Sequence, residues 1–331
     1  MKTPDGPSHR LPDRRRFLSL GLGAFVVAAV PLARARRRAL VRRTVPIMGT
    51  IADLAVVHRD PRFAHGALDA AIAQLRLVEA TMTRFRDDSE VGRANRAAAL
   101  RPVAISAQTT VVAIAALRWA EATDGAFDPC LGRATALWDV THRTAPPDAG
   151  DVRHWADRRL YRELELGRRG AQDVVVFHDA DLALDLGGIA KGYGVDRAVA
   201  ALRDWGIADG LVNVGGDLYA LGASEDGDGW EVGVRSAVDP TALTTRFRIS
   251  DRAVATSGDY VQYFDHAGRR YHHLLDPATG EPRRTVSHSL TVAAADCMTA
   301  DAAATALFGM TRREAVERLR AVAPAAEVVP A

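Results

Sequence analysis

The sequence predicts an α/β chain built as one domain with a mixed sheet, and three observations predict it. Two long apolar-periodic segments, residues 63 to 84 and 108 to 123, come first, and short β-type runs dominate from Asp173 onward. At the centre, a β-type run over 183 to 186 meets two glycines, continues as a helix over 189 to 205 and returns as a strand over 211 to 214. The length also fits, since 331 residues less a 35-residue leader leaves 296, enough for one large domain.

Residues 1 to 35 read as an export leader. Arg14-Arg15-Arg16-Phe17-Leu18 supplies a twin-arginine pair, a mostly apolar run from Leu20 to Leu32 follows, and Ala33-Arg34-Ala35 offers a cleavage site. The run is short for crossing a bilayer. Arg36-Arg37-Arg38 directly after it also suits an uncleaved anchor, so membrane attachment is expected only there. The chain is expected in the periplasm or on the outer face of the cytoplasmic membrane. Residues 1 to 35 hold Lys2 and five arginines against Asp5 and Asp13, so the +2 of the whole chain becomes −2 without them. No basic stripe with interleaved aromatics remains, which argues against a nucleic-acid partner. Cys130 and Cys297 make no disulfide framework and read as buried thiols.

Taken in order, residues 45 to 57 form a strand pattern interrupted at Met48-Gly49-Thr50, where the glycine suggests a bulge or a ligand's close approach. The helix over 63 to 84 places Ala67, Ala71, Leu75, Val78 and Met82 on one face. Residues 85 to 95 read as a polar connection. The helix over 108 to 123 stops at Asp124-Gly125. Residues 125 to 138 set Phe127, Asp128 and Trp138 among turn formers, which suits a ligand-lining loop or an ordinary turn anchored by its aromatics. Residues 139 to 170 look like an insertion with a short helix near 154 to 160.

The central stretch is Asp185-Leu-Gly-Gly-Ile-Ala-Lys-Gly-Tyr-Gly-Val-Asp196, answered by Asn213-Val-Gly-Gly-Asp217. It fits neither the Walker A spacing nor the G-x-G-x-x-G fingerprint. Its glycines still let backbone N–H groups approach a ligand, and the helix start favours phosphate. Of 43 lysines and arginines only Lys2 and Lys191 are lysines. A cation in the first helical turn is unfavourable unless an anion lies near.

Strands are expected over 174 to 177, 182 to 184, 230 to 235, 244 to 249, 253 to 256 and 289 to 294. Asp226-Gly-Asp-Gly229 reads as a hairpin turn, since the glutamate that would close a calcium loop is missing. Strand alternation from Arg270 sends His272 and His273 to opposite faces, so only one enters a given pocket. Asp276-Pro-Ala-Thr-Gly280 is a turn by composition. Asp301 and Thr305 share a helix face, as hard-oxygen ligands for Mg2+ would, although Asp at a helix start needs no ligand.

Together these residues resemble the FAD:protein FMN transferase (ApbE) family. The hallmarks stand in order over residues 44 to 310: Met48-Gly49-Thr50, Ala126-Phe127-Asp128-Pro129, Asp185-Leu-Gly-Gly-Ile-Ala-Lys-Gly192, Asn213-Val-Gly-Gly-Asp217, Thr256-Ser-Gly-Asp-Tyr260, His273-Leu-Leu-Asp-Pro-Ala-Thr-Gly280, and Ala300-Asp301 with Thr305. The resemblance implies an α+β-like fold whose sheet is largely antiparallel and packed by helices. It implies Mg2+ as cofactor and FAD as substrate. FMN would pass to a Ser or Thr hydroxyl of an exported flavoprotein through a phosphoester bond, releasing AMP. The metal would rest on the backbone oxygen of Gly188 with Asp301 and Thr305. Met48, Ala126, Phe127, Asp128, Asp185, Lys191 and Leu275 would line the FAD site. His273 would assist proton removal, and Lys191 would neutralise diphosphate charge. Cys130 after Pro129 and Asn95 in Gly92-Arg-Ala-Asn95 depart from the expected pattern. An FAD pyrophosphatase and a non-catalytic flavin-binding protein are the alternative outcomes.

Overall fold

A computed structural model describes residues 25–27, 39–236, 242–285 and 287–330. Its strands in chain order are β1 (Phe25–Val27), β2 (Ala39–Ile47), β3 (Thr50–His58), β4 (Val103–Ile105) and β5 (Leu164–Arg169). There follow β6 (Gln172–Phe177), β7 (Gly210–Val214), β8 (Asp217–Leu221), β9 (Trp230–Arg235) and β10 (Leu243–Ile249). The last are β11 (Arg252–Gly258), β12 (Tyr263–His266), β13 (Arg269–His272), β14 (Ser289–Ala294) and β15 (Glu327–Val328).

The centre is a seven-stranded sheet in the order β15-β14-β11-β8-β7-β3-β2. Successive side chains of a strand face opposite ways, and here both faces are covered. On β3, Leu54 and Val56 join the helix-side core, while Ala55 and Val57 join a second core. On β8, Tyr219 and Leu221 face the first and Leu218 and Ala220 the second. This explains why β7 and β8 are buried throughout and read as continuous apolar runs rather than alternating ones.

Three helices cover the first face: Pro61–Met82, Ala190–Asp204 and Cys297–Leu307. The first buries Ala64, Ala67, Leu68, Ala71, Ile72, Leu75, Val78 and Met82, a stripe at three- and four-residue spacing. Asp60 caps it by accepting from the Arg62 and Phe63 N–H groups, and Pro61 occupies its first turn. On the second face lies the small sheet β1-β9-β10, which supplies Trp230, Val232, Val234 and Ile249 to the second core. Every strand pairing is antiparallel, in keeping with the expected sheet, and Leu131 with Ala183 forms a lone parallel bridge among the described residues.

Several expectations change. Residues 45 to 57 are two strands, because Met48 (φ 51°) and Gly49 (φ 70°) form a two-residue hairpin turn in place of a bulge. The polar connection contains a helix, Glu90–Ala97, whose few buried residues Val91, Gly92 and Ala94 give little periodic signal. The 139–170 region ends in β5, which pairs with β6 in the sheet β4-β6-β5, and its short helices, Ala149–Arg153 and a 3-10 turn at Leu160–Glu163, flank the expected 154–160. The leader expected at residues 1 to 35 lies outside the described residues, apart from β1, which pairs with β9. Cys130 and Cys297 are buried and free. Among the described residues no helix is long and apolar enough to cross a membrane.

Candidate active site

The site begins where the helices Ala190–Asp204 and Cys297–Leu307 touch. A Cβ on Gly192 would lie 2.2 Å from the Cys297 carbonyl oxygen and 2.8 Å from the Asp301 Cβ, so only glycine allows this approach. The contact brings Asp301 to the start of the lysine-bearing helix, where its Oδ2 accepts from the Gly192 N–H at 2.9 Å. Its Oδ1 accepts from the Lys191 ammonium at 3.2 Å, and Asp217 accepts from the same ammonium on the other side. These are the anions that a lysine in a first helical turn requires. Asp217 and Asp301 are 4% and 3% exposed and Lys191 is 29% exposed. Burial disfavours the Lys191 ammonium, but the two carboxylates outweigh it and hold its pKa above the ordinary value. Burial, then Asp301, pushes Asp217 up to about 7 despite the lysine.

Each partner is held from behind. Asp217 follows the Gly215-Gly216 turn that joins β7 to β8, with both glycines at positive φ and the Asn213 side chain accepting from the Gly216 N–H. Asn213-Val-Gly-Gly-Asp217 is thus a hairpin turn. Asp301 rides on a helix whose first three N–H groups are filled by two carboxylates. Asp196 accepts from Cys297 and Met298 at 2.7 and 2.8 Å, and Asp296 accepts from Thr299 at 2.8 Å.

One helical turn beyond Asp301, Thr305 meets Gly188. A Cβ on Gly188 would lie 2.9 Å from Thr305 Cγ2 and 3.1 Å from the Phe127 ring. Ser257 Oγ is 3.2 Å from Thr305 Oγ1. Gly188, Lys191, Asp301, Thr305 and Phe127 therefore lie together where these two helices meet the 126–130 loop. The segment before Gly188 is not a ladder strand. The Asp185 N–H donates to the Pro129 carbonyl, and the two ends of the Asn95 amide pair with the Leu184 backbone. These bonds set the 126–130 loop beside Asp185. Asp185 itself pairs with Arg84 at 2.9 Å. Asp128 accepts from the Cys130 and Tyr161 N–H groups, and burial raises its pKa to about 6 against those bonds. Met48 packs against the same helix: its Sδ would lie 3.4 Å from a Cβ on Gly194, and its N–H donates to Glu79 at 2.6 Å.

The paired histidines separate as alternation requires. His272 is buried in the core, edge-on to Phe308, with Nε2 donating to the Arg283 carbonyl at 2.9 Å and Nδ1 accepting from the Leu274 N–H. It is fully satisfied and has no free lone pair. His273 turns the other way, and Nδ1 lies 3.3 Å from the Gln262 carbonyl oxygen. A carbonyl only accepts, so Nδ1 carries the proton and the Nε2 lone pair is free. Burial, assisted by His272 and then by the Lys191 charge and opposed by the Gln262 carbonyl, lowers its pKa to about 4, so the ring is neutral at pH 7.

Three contributors escape sequence reasoning. Asp217 stands inside a quoted motif, and a carboxylate just past a glycine pair was a usable signal. Arg84 and Arg283 carried none. Arg283 donates to the carbonyls of Leu275 (3.1 Å), Ala306 (3.3 Å), Phe308 and Ala126, so Ala126 and Leu275 join the site through it.

The arrangement can hold a cation. Two buried carboxylates share one ammonium, so whenever Asp217 is ionised one negative charge is uncompensated, on the helix that one turn later brings Thr305 against Gly188. The oxygen donors are hard, which suits Mg2+ with water and phosphate completing its shell. Among the described residues no three His, Cys, Asp or Glu side chains gather as a metal cluster, so such a cation depends on hydroxyl and carbonyl oxygens as well.

The ApbE family model matches residues 48–329. An FAD:protein FMN transferase of Treponema pallidum (strain Nichols) is 33% identical over 304 residues, covering 87% of this chain and 83% of that protein. One from Vibrio cholerae is 33% identical over 292 residues, covering 86% and 84%. Among solved structures, the ApbE protein of Thermotoga maritima superposes with a TM-score of 0.78 at 29% identity, covering 88% of this chain and 93% of that one. The flavin transferase ApbE from Vibrio cholerae gives 0.74 at 29% identity, covering 86% and 91%. With its family model, its relatives and its fold in agreement, the chain belongs to the ApbE family.

Proposed function

We propose that the chain is an exported, Mg2+-dependent FAD:protein FMN transferase that attaches FMN to a Ser or Thr hydroxyl of a target flavoprotein. The observation that carries this reading is the charge imbalance of Asp217, Asp301 and Lys191 beside Thr305 and Gly188. A divalent cation on Asp301, Thr305 and the Gly188 carbonyl would neutralise diphosphate charge in the transition state. Lys191, tethered to Asp217, presents a second positive charge on the same side. His273 receives the acceptor's proton at Nε2. The acceptor oxygen forms the new bond to the FMN phosphorus, the bond from that phosphorus to the bridging oxygen breaks, and AMP leaves with that oxygen. The free-site pKa near 4 makes His273 a weak base, and the negative diphosphate raises it on binding. Met48, Phe127, Asp128 and Leu275 form the surrounding walls for FAD. Asp185 reaches them through its bond to Pro129.

The test is to mix the chain lacking residues 1 to 35 with FAD, Mg2+ and an exported flavoprotein domain, then weigh that domain. A gain of one FMN with AMP released, both lost in EDTA, supports the transferase. Free FMN and AMP without mass gain point to a pyrophosphatase, and bound uncleaved FAD to a binding protein. The twin-arginine leader supports export. Replacing Arg15 and Arg16 by Lys should retain the chain in the cytoplasm, and unchanged export would refute that assignment.

A further inference from the structure

Arg283 is a cation whose hydrogen-bond partners are all backbone carbonyls. Its Nε donates to Leu275, one terminal nitrogen to Ala306 and Phe308, and the other to Ala126. Among the described residues no carboxylate lies within ion-pair distance of it, and burial lowers its pKa to about 10, with Asp276 opposing. Desolvating a guanidinium without an ionic partner is unfavourable unless its fork of N–H groups is well used. Here it joins three segments far apart in sequence.

Each segment is a wall of the site. Ala126 precedes Phe127, whose ring abuts Gly188. Leu275 follows the segment that presents His273. Ala306 and Phe308 end the helix that carries Asp301 and Thr305, and that helix terminates at Phe308 in an extended conformation (φ −55°, ψ 135°). The last carbonyls of a helix lack partners within it, and a cation there also meets the negative end of the dipole. Arg283 therefore caps the Asp301 helix from outside while gripping the 126 loop and the 275 turn. The aliphatic stem fits the same place, since a Cβ on Gly309 would lie 3.4 Å from Arg283 Cδ.

We propose that Arg283 is a positioning residue that sets the cation-bearing helix in register with the two loops that receive FAD. The proposal rests on the FAD reading above. It acts through Ala126, Leu275 and Thr305 and touches no reacting atom. Loss of its donors frees the three walls to move separately, so ligand and metal affinities fall together.

The experiment compares wild type with Arg283→Met, which keeps the stem, and Arg283→Lys, which keeps the charge but not the fork. FAD binding is read by flavin fluorescence, Mn2+ binding by its EPR signal, and local opening by hydrogen exchange of peptides covering 123–131, 272–285 and 299–309. Arg283→Met should weaken both FAD and Mn2+ at least about tenfold, faster exchange should be confined to the three peptides, and Arg283→Lys should fall between. A folded Arg283→Met with both affinities within about twofold of wild type overturns the proposal. A lowered melting temperature with unchanged affinities also overturns it, leaving only a structural role. Should Arg283→Met not fold, Arg283→Lys decides by the same criteria. If wild type binds no FAD, the functional reading fails by itself, while Mn2+ affinity and exchange still judge Arg283.

Discussion

Replacing Lys191 by Met removes the cation shared by two buried carboxylates while keeping most of the stem's volume. Removing one partner of a buried ion pair costs about 3–5 kcal/mol. The low end, about 3 kcal/mol, applies because Lys191 is 29% exposed. For a chain of this size about 2 °C of melting temperature is lost per kcal/mol, so Lys191→Met should melt about 6 °C below wild type. The cause also predicts its own rescue. A divalent cation at one hundred times its dissociation constant stabilises by about 2.7 kcal/mol, or about 5 °C here. In wild type the incoming cation must displace the ammonium from Asp301, whereas in Lys191→Met it meets Asp301 without that competitor, and it must displace at most a proton from Asp217, whose pKa the lysine no longer lowers. Melting by calorimetry at pH 7 with and without MgCl2 should therefore show the larger Mg2+ shift in the variant. A variant melting within about 1 °C of wild type, or equal Mg2+ shifts in both, refutes the reasoning.

Other changes test separate parts of the site. His273→Ala should slow FMN transfer by about 10²–10⁴-fold with FAD affinity unchanged; lost affinity would make His273 a ligand contact. Because the free ring titrates near 4, the acid limb of kcat/KM should fall near pH 4, below which the base is protonated, and a limb near 6.5 would contradict the burial. Gly192→Ala should cost more than about 3 kcal/mol, since the added methyl would lie 2.2 Å from the Cys297 carbonyl oxygen; wild-type melting would show that the helices part freely. Asp196→Ala removes the acceptor for the Cys297 and Met298 N–H groups and should cost about 2 kcal/mol. Burial lifts the folded-state pKa of Asp196 from 3.8 to about 7, so the folded chain binds the extra proton between those values. The contribution of Asp196 to stability thus falls as pH rises through that window, and the variant should flatten this slope. An unchanged slope would place Asp196 nearer to water.

Legibility of the fold followed the length of its periodic signals. The helices Pro61–Met82, Ala107–Ala122 and Ala190–Asp204 were readable because their buried faces recur over several turns, and Asp124-Gly125 marked one end, whereas the caps Asp60 and Ser106 went unread. Glu90–Ala97 and β5 were not, being short and mostly exposed on one side. The Met48-Gly49 turn was misread because its first residue is not glycine, although both residues take positive φ.

The site divided along a similar line. A lysine in a first helical turn predicted an anion, but the sequence could not say that Asp217 and Asp301, 26 and 110 residues away, would supply it. Alternation separated His272 from His273 without saying which one the core would take; the edge contact with Phe308 decides that. Arg283 was invisible because its acceptors are backbone carbonyls, which every residue type possesses.

The most direct test of the cation site is a Mn2+ titration followed by EPR, run on wild type and Asp301→Asn with FAD present. Asn preserves the shape beside Gly192 but removes the charge. One bound Mn2+ in wild type, with binding and AMP release both lost in the variant, is the predicted result. Equal Mn2+ affinity in the two proteins would contradict the assignment of Asp301 and, with it, the account of how this chain handles a diphosphate.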